Sequence, residues 1–510
     1  MKYLSIVFLF ITISAKAQST YELITSRLEL PSDFAVTSDH GLIMGGNMLD
    51  TLSGLEDVYA LVKIDSLGNE EWATMYFDMG HDSYVSSIFQ SSDGNYVFSG
   101  YPDGTINHEC VIAKINSNGA WIWKTTLCLP GFESESSSKA LQSNDGNYAI
   151  AFNQADNGMF QFYTSLAKIN TSGNILWERN FSDTIDYLGR CYSLAETSDS
   201  GFVITGEILG ISHKGYVIRT DSLGNLLWYK IYNLISTTYS GTCVKQTFDG
   251  GFIITCSDIQ VGAYDAYIIK TDSAGNIQWT TTLSGSENHS LSNVTQVSDS
   301  NFVAIGSVGN PNNYTQRLLL AKLNQQGDTL WTRTYQEAIG NNLWGIKIIE
   351  AEDGGLILLN NSSLSSGIIK TDSAGNMNCN QSSSTNTVQH GPSSSFNGII
   401  SVDSSQAGAI SNFLQQYYLP STNIICLSLN YGGENYPNEI ISVSPNPSCN
   451  KILLSTSARI LRSTIFNLLG APVSCNNNES DINISSLPDG IYFIQIQTSE
   501  GDFFKKLIKE

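Results

Sequence analysis

Short apolar runs alternate with tight polar turns along most of the chain, and the alternation itself repeats. A first element recurs as VTSDHGLIMGG, QSSDGNYVFSG, QSNDGNYAIAF, ETSDSGFVITG, QTFDGGFIITC, QVSDSNFVAIG and EAEDGGLILLN. Its turn aspartates are Asp39, Asp93, Asp145, Asp199, Asp249, Asp299 and Asp353, spaced 50 to 54 residues apart. A second element alternates with it as LVKIDSLGNEEW, IAKINSNGAWIW, LAKINTSGNILW, VIRTDSLGNLLW, IIKTDSAGNIQW and LAKLNQQGDTLW, and ends on a shortened IIKTDSAGNMNC. Each element predicts a hairpin, because Asp-Gly and Asp/Asn-x-x-Gly-Asn clusters supply positive φ and side-chain-to-backbone bonds between two apolar runs. Two hairpins per unit make four strands, which we label A to D in chain order. Four short strands per unit, seven times over, predict an all-β protein: a seven-bladed β-propeller over residues 18–380. A solenoid of β-arches is the alternative, but its periods are usually nearer 20–30 residues.

The large side chains of the repeat fall at one position. Trp72, Trp123, Trp177, Trp228, Trp279 and Trp331 each end a second element, and are expected to form a ring of wedges between units. Nine residues before each Trp position stands a basic residue: Lys63, Lys114, Lys168, Arg219, Lys270, Lys322 and, before Cys379, Lys370. Each is expected to lie over its own unit with its stem packed and its head in water. The seventh unit lacks its Trp, so the array needs a closing strand. YELITSRLE near the start is expected to supply strand D of the last unit, pairing Tyr21–Glu29 with Ile368–Thr371; in the alternative register it shares a sheet with residues 36–65.

Composition narrows the class. Only 14% of the 510 residues are charged, while Gly, Ser, Asn and Thr abound, which suits strands and turns better than helices. The opening MKYLSIVFLFITISAKAQS reads as a signal peptide over residues 1–17, with Lys2, an apolar run and Ala-Lys-Ala, cut between Ala17 and Gln18. No later stretch approaches the roughly 20 apolar residues of a transmembrane helix. The net charge of −21 falls to −23 once Lys2 and Lys16 are removed, which argues against nucleic acid as a partner. The nine cysteines show no metal-type spacing.

Residues 381–437 form a Ser/Asn-rich linker with possible short strands. Residues 438–510 then alternate apolar and polar positions between turns, as a small C-terminal antiparallel β-sandwich would. Their motifs are Ser444-Pro445-Asn446-Pro447, IFNLLGAPV with Gly470, Leu487-Pro488-Asp489-Gly490-Ile491-Tyr492 and the basic tail with Lys505 and Lys506. In these pieces the module resembles the type A C-terminal sorting domain of the type IX secretion system. The resemblance implies passage through the periplasm, engagement of the type IX machinery, and release or attachment at the outer surface, usually with loss of this domain. The repeats resemble those of exported bacterial propellers and, more distantly, kelch-type propellers.

The repeats carry no motif for catalysis, cofactor or metal. The six histidines are scattered, and no HExxH, GxSxG or phosphate loop occurs. The expected role is binding of a glycan or protein ligand at the cell surface or in the medium. The alternative is a secreted carbohydrate-active hydrolase or lyase with paired carboxylates at a channel mouth.

Overall fold

In the computed structural model the strands and tight turns are described from Gln18 onward. Outside the described residues lie 1–17, 431–440 and connecting segments including 51–55, 104–109, 157–161, 210–212, 259–263, 311–315, 337–341, 363–365, 378–380, 404–413 and 468–470, with shorter pieces of loop. The described chain is all-β, built as successive antiparallel sheets with a propeller arrangement.

The fifth repeat illustrates the unit. Tyr239–Gln246, Phe252–Asp258, Ala266–Thr271 and Ile277–Ser284 pair in chain order. Strands B and C are buried along most of their length, because both faces of the sheet meet neighbours. Among the described residues seven sheets of this kind follow one another. Each successive pair shares its own apolar cluster, and the seventh shares one with the first: Ile357, Leu359 and Ile368 pack with Phe34, Leu42 and Met44. The array therefore closes on itself.

Turn chemistry works as the sequence implies. The residue after each turn aspartate takes positive φ in all seven units, glycine at Gly94, Gly146, Gly250 and Gly354, and His40, Ser200 and Ser300 elsewhere. At the C–D turns the aspartate is used by the turn itself: Asp65 accepts from Asn69 N at 2.8 Å and from Asn69 Nδ2 at 3.0 Å.

The seventh sheet takes its fourth strand from the start of the chain. Gln18–Thr25 pairs antiparallel with Ser366–Thr371, setting Tyr21 against Lys370. Every Trp of the array faces the basic residue of its own unit in the same way, for example Trp279 against Lys270 and Trp72 against Lys63. Tyr21 thus stands in the vacant Trp register, and the first of the two expected registers is the one found. Cys379 lies outside the described residues.

The stretch read as a linker is a belt. After the seventh unit, Gln381–Ser382, Thr387–His390, Ser394–Asn397 and Ile400–Asp403 pair with the D strands of the sixth, fifth, fourth and third sheets in turn. Leu414–Tyr417 then pairs with the first sheet, and Thr422–Asn430 with Gln18–Thr25. The physical reason is the outer edge: each D strand presents a row of unpaired N–H and C=O groups, and short polar strands satisfy them without needing a core.

Residues beyond 441 form a separate pair of antiparallel sheets, one of three strands and one of four. They enclose a core that includes Ile452, Ile465, Ile482, Ile494 and Leu507. From this module Phe493 and Ile491 join the cluster between the seventh and first sheets.

Candidate functional site

The innermost strand of each sheet faces a central cavity of about 810 Å3. Six of the seven A strands carry a register shift near this cavity, as between Gly241 and Cys243 and between Gly345 and Lys347. A bulge turns extra side chains toward the opening. The lining is rich in hydroxyls, including Ser32, Ser193, Thr242, Ser290 and Ser292, with Tyr192 and Trp344 as aromatic surfaces. It holds three cations, Lys139, Lys245 and Lys347, and among the described residues one carboxylate, Asp33.

Asp33 is already bonded. Its Oδ1 accepts from Phe34 N at 2.9 Å and Lys347 Nζ at 2.6 Å, and its Oδ2 from Ile88 N at 2.9 Å. It joins the first, second and seventh sheets rather than standing ready as a base. Paired carboxylates expected of a channel-mouth hydrolase are not gathered among the described residues of this lining.

The tryptophans take an interblade position, half-buried rather than at the centre of a core. The Nε1 of Trp72, Trp123 and Trp279 donates to the C–D turn carbonyl of the next unit, at Ser117, Thr171 and Gln325, at 2.9–3.0 Å. Trp72, Trp123, Trp177, Trp228 and Trp279 also meet the first B-strand aromatic of the next unit, Tyr96, Tyr148, Phe202, Phe252 and Phe302, with centroids 5.6–6.2 Å apart. Trp331 packs in the cluster that contains Leu356. The C–D turn glycine of the next unit seats each ring: a Cβ at Gly173 would lie 2.8 Å from Trp123, and one at Gly375 2.7 Å from Trp331.

The seven basic residues correct the expectation of solvated heads. Lys63, Lys114, Lys168, Arg219, Lys270, Lys322 and Lys370 are all buried. Each reaches the turn aspartate of its own unit, Asp39, Asp93, Asp145, Asp199, Asp249, Asp299 and Asp353, at 2.5–3.1 Å. Neighbouring sheets cover both faces of strand C, so no path to water remains except along the strand to the A–B turn. Partial burial pushes the Asp93 carboxyl up, but hydrogen bonds from Lys114, Ser91 and Asn95 hold it well below the usual carboxylate range. The two repeat elements are thus tied by an ion pair, and the signal for it was present: one acid and one base recur once per unit.

A buried acid of the third sheet belongs to no repeat position. Glu178 accepts from Gln154 at 3.0 Å through Oε1, while Oε2 has no hydrogen-bond partner among the described residues. Burial pushes its carboxyl up from 4.5 to about 7, with Gln154 opposing. An acid raised in the folded state adds stability fully below the unfolded value, and that stability is lost as pH rises through the folded one. Parent stability should therefore fall by roughly 3 kcal/mol between about pH 4.5 and 7. Thermal melts of Glu178→Gln should match the parent at pH 4 and exceed it at pH 8. Equal pH profiles for the two proteins would show that Glu178 is ionised in the fold.

In the C-terminal module Asn446 acts as a strand mimic: its Nδ2 donates to Lys506 O at 2.7 Å, and its Oδ1 accepts from Ile508 N at 2.8 Å. Pro445 and Pro447 flank it, both after cis peptides. Tyr492 is buried and donates to Pro488 O at 2.9 Å, Leu487 packs on the module's core, and Gly490 opens the strand that carries Tyr492. Lys505 and Lys506 are exposed on the last strand. The motif residues therefore hold that strand in place and leave its two lysines in solvent. Ala17 and Gly470 lie outside the described residues, and Gln18 begins the closing strand. Cys110, Cys191, Cys243 and Cys256 are buried free thiols, while Cys449 and Cys475 are exposed free thiols.

Comparison with known proteins places the module. Residues 442–510 match the secretion system C-terminal sorting domain and are such a domain. The chain is accordingly a propeller protein that is exported via the periplasm and is secreted or attached at the outer-membrane surface. No curated protein matches the sequence. Among solved structures, the Dos1 propeller is similar at 12% identity, covering 72% of this chain and 98% of its own, with a TM-score of 0.44. PorZ, a surface component of the type-IX secretion system of Porphyromonas gingivalis, is similar at 8% identity and a TM-score of 0.31; 94% of this chain aligns and spans about half (51%) of PorZ. A glucose dehydrogenase is similar at 11% identity over 70% of this chain and 98% of its own, with a TM-score of 0.33. No residue role passes from these proteins to this one.

Proposed function

We propose that the protein is a binding module of the cell surface or medium: a seven-bladed propeller that holds a glycan or protein ligand, addressed for export by a C-terminal β-sandwich that engages the type IX secretion machinery. The observation that carries this reading is the division of labour among residues. The recurrent ones are used for closing the ring, and the cavity at its centre is lined by donors and hydroxyls with one fully bonded acid. Such a lining suits recognition of a polar ligand better than acid–base cleavage, which needs two carboxyl groups in differing environments. The test is a glycan array and a pulldown with the chain from Gln18. Reproducible retention of a glycan or protein without its breakdown supports the reading. Turnover of a retained polysaccharide would overturn it in favour of a secreted carbohydrate-active enzyme.

A further inference from the structure

Three lysines that the repeat does not use converge on the central cavity. Lys139, Lys245 and Lys347 come from the inner strands of the third, fifth and seventh sheets, so they enter from alternate members of the ring. The chain as a whole carries −21, yet among the described residues this lining holds three ammonium groups against one carboxylate. That carboxylate, Asp33, is taken by Lys347. Lys139 donates to the backbone carbonyl of Ser86, and no group among the described residues accepts a hydrogen bond from Lys245 Nζ.

The positions are departures from the repeat. Lys347 follows the bulge of its strand at the place held by Asp33, Ser87, Ser193, Cys243 and Asn293 in other units. Lys245, two residues beyond Cys243, faces Ile253 where Ala195 faces Val203 and Thr295 faces Val303. Lys347 bridges the seam between the seventh and first sheets through Asp33 and Phe34 O, and Lys139 reaches Ser86 O of the second sheet. Closing the ring does not ask for Lys245, since the other units close without a cation at its place. Lys139 and Lys245 are both half-buried, and burial holds them below the ordinary lysine range, with the Lys347 ammonium adding to it and the Asp33 carboxylate opposing it. A cation partly withdrawn from water gains from a nearby counter-charge, and an anion in the cavity would supply one beyond the Asp33 carboxylate that Lys347 already holds.

We propose that the central cavity binds a small hydroxylated anion, a sugar carrying a carboxylate, sulfate or phosphate group. Lys245 and Lys139 hold the anionic group, the channel hydroxyls bond the sugar hydroxyls, and Tyr192 and Trp344 offer faces for the ring. About 810 Å3 lies in the range of small-molecule sites. This inference rests on the binding reading above and specifies its ligand.

The experiment is titration calorimetry on the chain from Gln18 with glucuronate, galacturonate, glucose 6-sulfate and glucose 6-phosphate, against glucose and inorganic phosphate. At least one acidic sugar should bind, more weakly at high salt, with glucose not binding at about 10 mM. Lys245→Gln should weaken that binding about tenfold or more while melting within about 2 °C of the parent. Lys139→Gln supplies a second variant with the same expectation. Inorganic phosphate binding as tightly as the sugar acid would reassign the site to a free anion and overturn the sugar. Failure of all the acidic sugars, or binding indifferent to both substitutions, would overturn the channel site. A neutral glycan retained on the array by parent and variants alike would keep the binding reading while removing this one.

Discussion

Asp353→Ala is expected to destabilise the propeller by about 3–5 kcal/mol, whereas Asp145→Ala at the equivalent turn costs about 1 kcal/mol or less. The two aspartates occupy the same place in the repeat and pair with the same kind of residue. Their surroundings differ. The Asp353 and Lys370 side chains are both 0% exposed, while Asp145 is 53% exposed beside a buried Lys168. Lys370 Nζ donates to Asp353 Oδ1 at 2.8 Å, to Oδ2 at 3.0 Å and to Thr371 O at 3.1 Å. Removing the carboxylate leaves an ammonium in a site closed to solvent, and burial already pushes Lys370 below the ordinary lysine range. At the open turns water replaces the lost partner, so the cost is small. Calorimetric melting of the two single variants measures the difference. Lys370→Met combined with Asp353→Leu should recover most of the loss, because a buried pair replaced whole by apolar groups is close to neutral. Equal losses for Asp353→Ala and Asp145→Ala would show that the seventh turn is as open to water as the others.

This comparison also explains why IIKTDSAGN is kept letter for letter at both 268–276 and 368–376. In the last unit Lys370 serves its own A–B turn, Gly375 seats Trp331 of the sixth unit, and Asn376 closes the turn on Asp372. The copy stays faithful as far as neighbours depend on it. Beyond that point the chain departs from the repeat, and Tyr21, on the closing strand, stands in the Trp register opposite Lys370.

Recurrence made the fold readable. Turn aspartates, positive-φ positions and the Trp register repeat often enough to reveal the number of units and the strand missing from the last. The ion pair was hidden because a lone lysine is most often a solvated head, and only the packing on both faces of strand C removes that option. The belt was hidden for a different reason. Runs such as NGIISV and TNIICLSLNY pair by backbone, so their side chains carry no repeat. The cavity lysines were invisible by construction, since Lys139, Lys245 and Lys347 break the repeat and a search for recurrence discards them. In a repeat protein the scaffold is written in what recurs, and a ligand site in what does not.

Deletion of Gln18–Thr25 is the sharpest test of how the ring holds. The strand lies between Ser366–Thr371 and Thr422–Asn430, with ladders on both sides. Without it the seventh sheet loses its D strand, and the last segment of the belt loses its only partner strand among the described residues. Each backbone hydrogen bond contributes about 0.5–1.5 kcal/mol net, so the deletion should cost about 5–10 kcal/mol. For a unit of this size that lowers the melting midpoint by on the order of 10 °C. It also leaves two unpaired edges, which favour association of the variant with itself. A synthetic peptide QSTYELIT added in trans should raise the midpoint again, because it restores both ladders, and should reduce that association. A deletion variant melting within about 2 °C of the parent and remaining monomeric would mean that the apolar cluster between the seventh and first sheets closes the ring alone. The contribution of that cluster can be separated by Leu359→Ala, which removes core volume but leaves every strand paired, and for a buried leucine costs about 2–5 kcal/mol. If the strand and the cluster act as one closure, the losses from the deletion and from Leu359→Ala will not add, since an opened seam has already lost much of the packing that Leu359 provides.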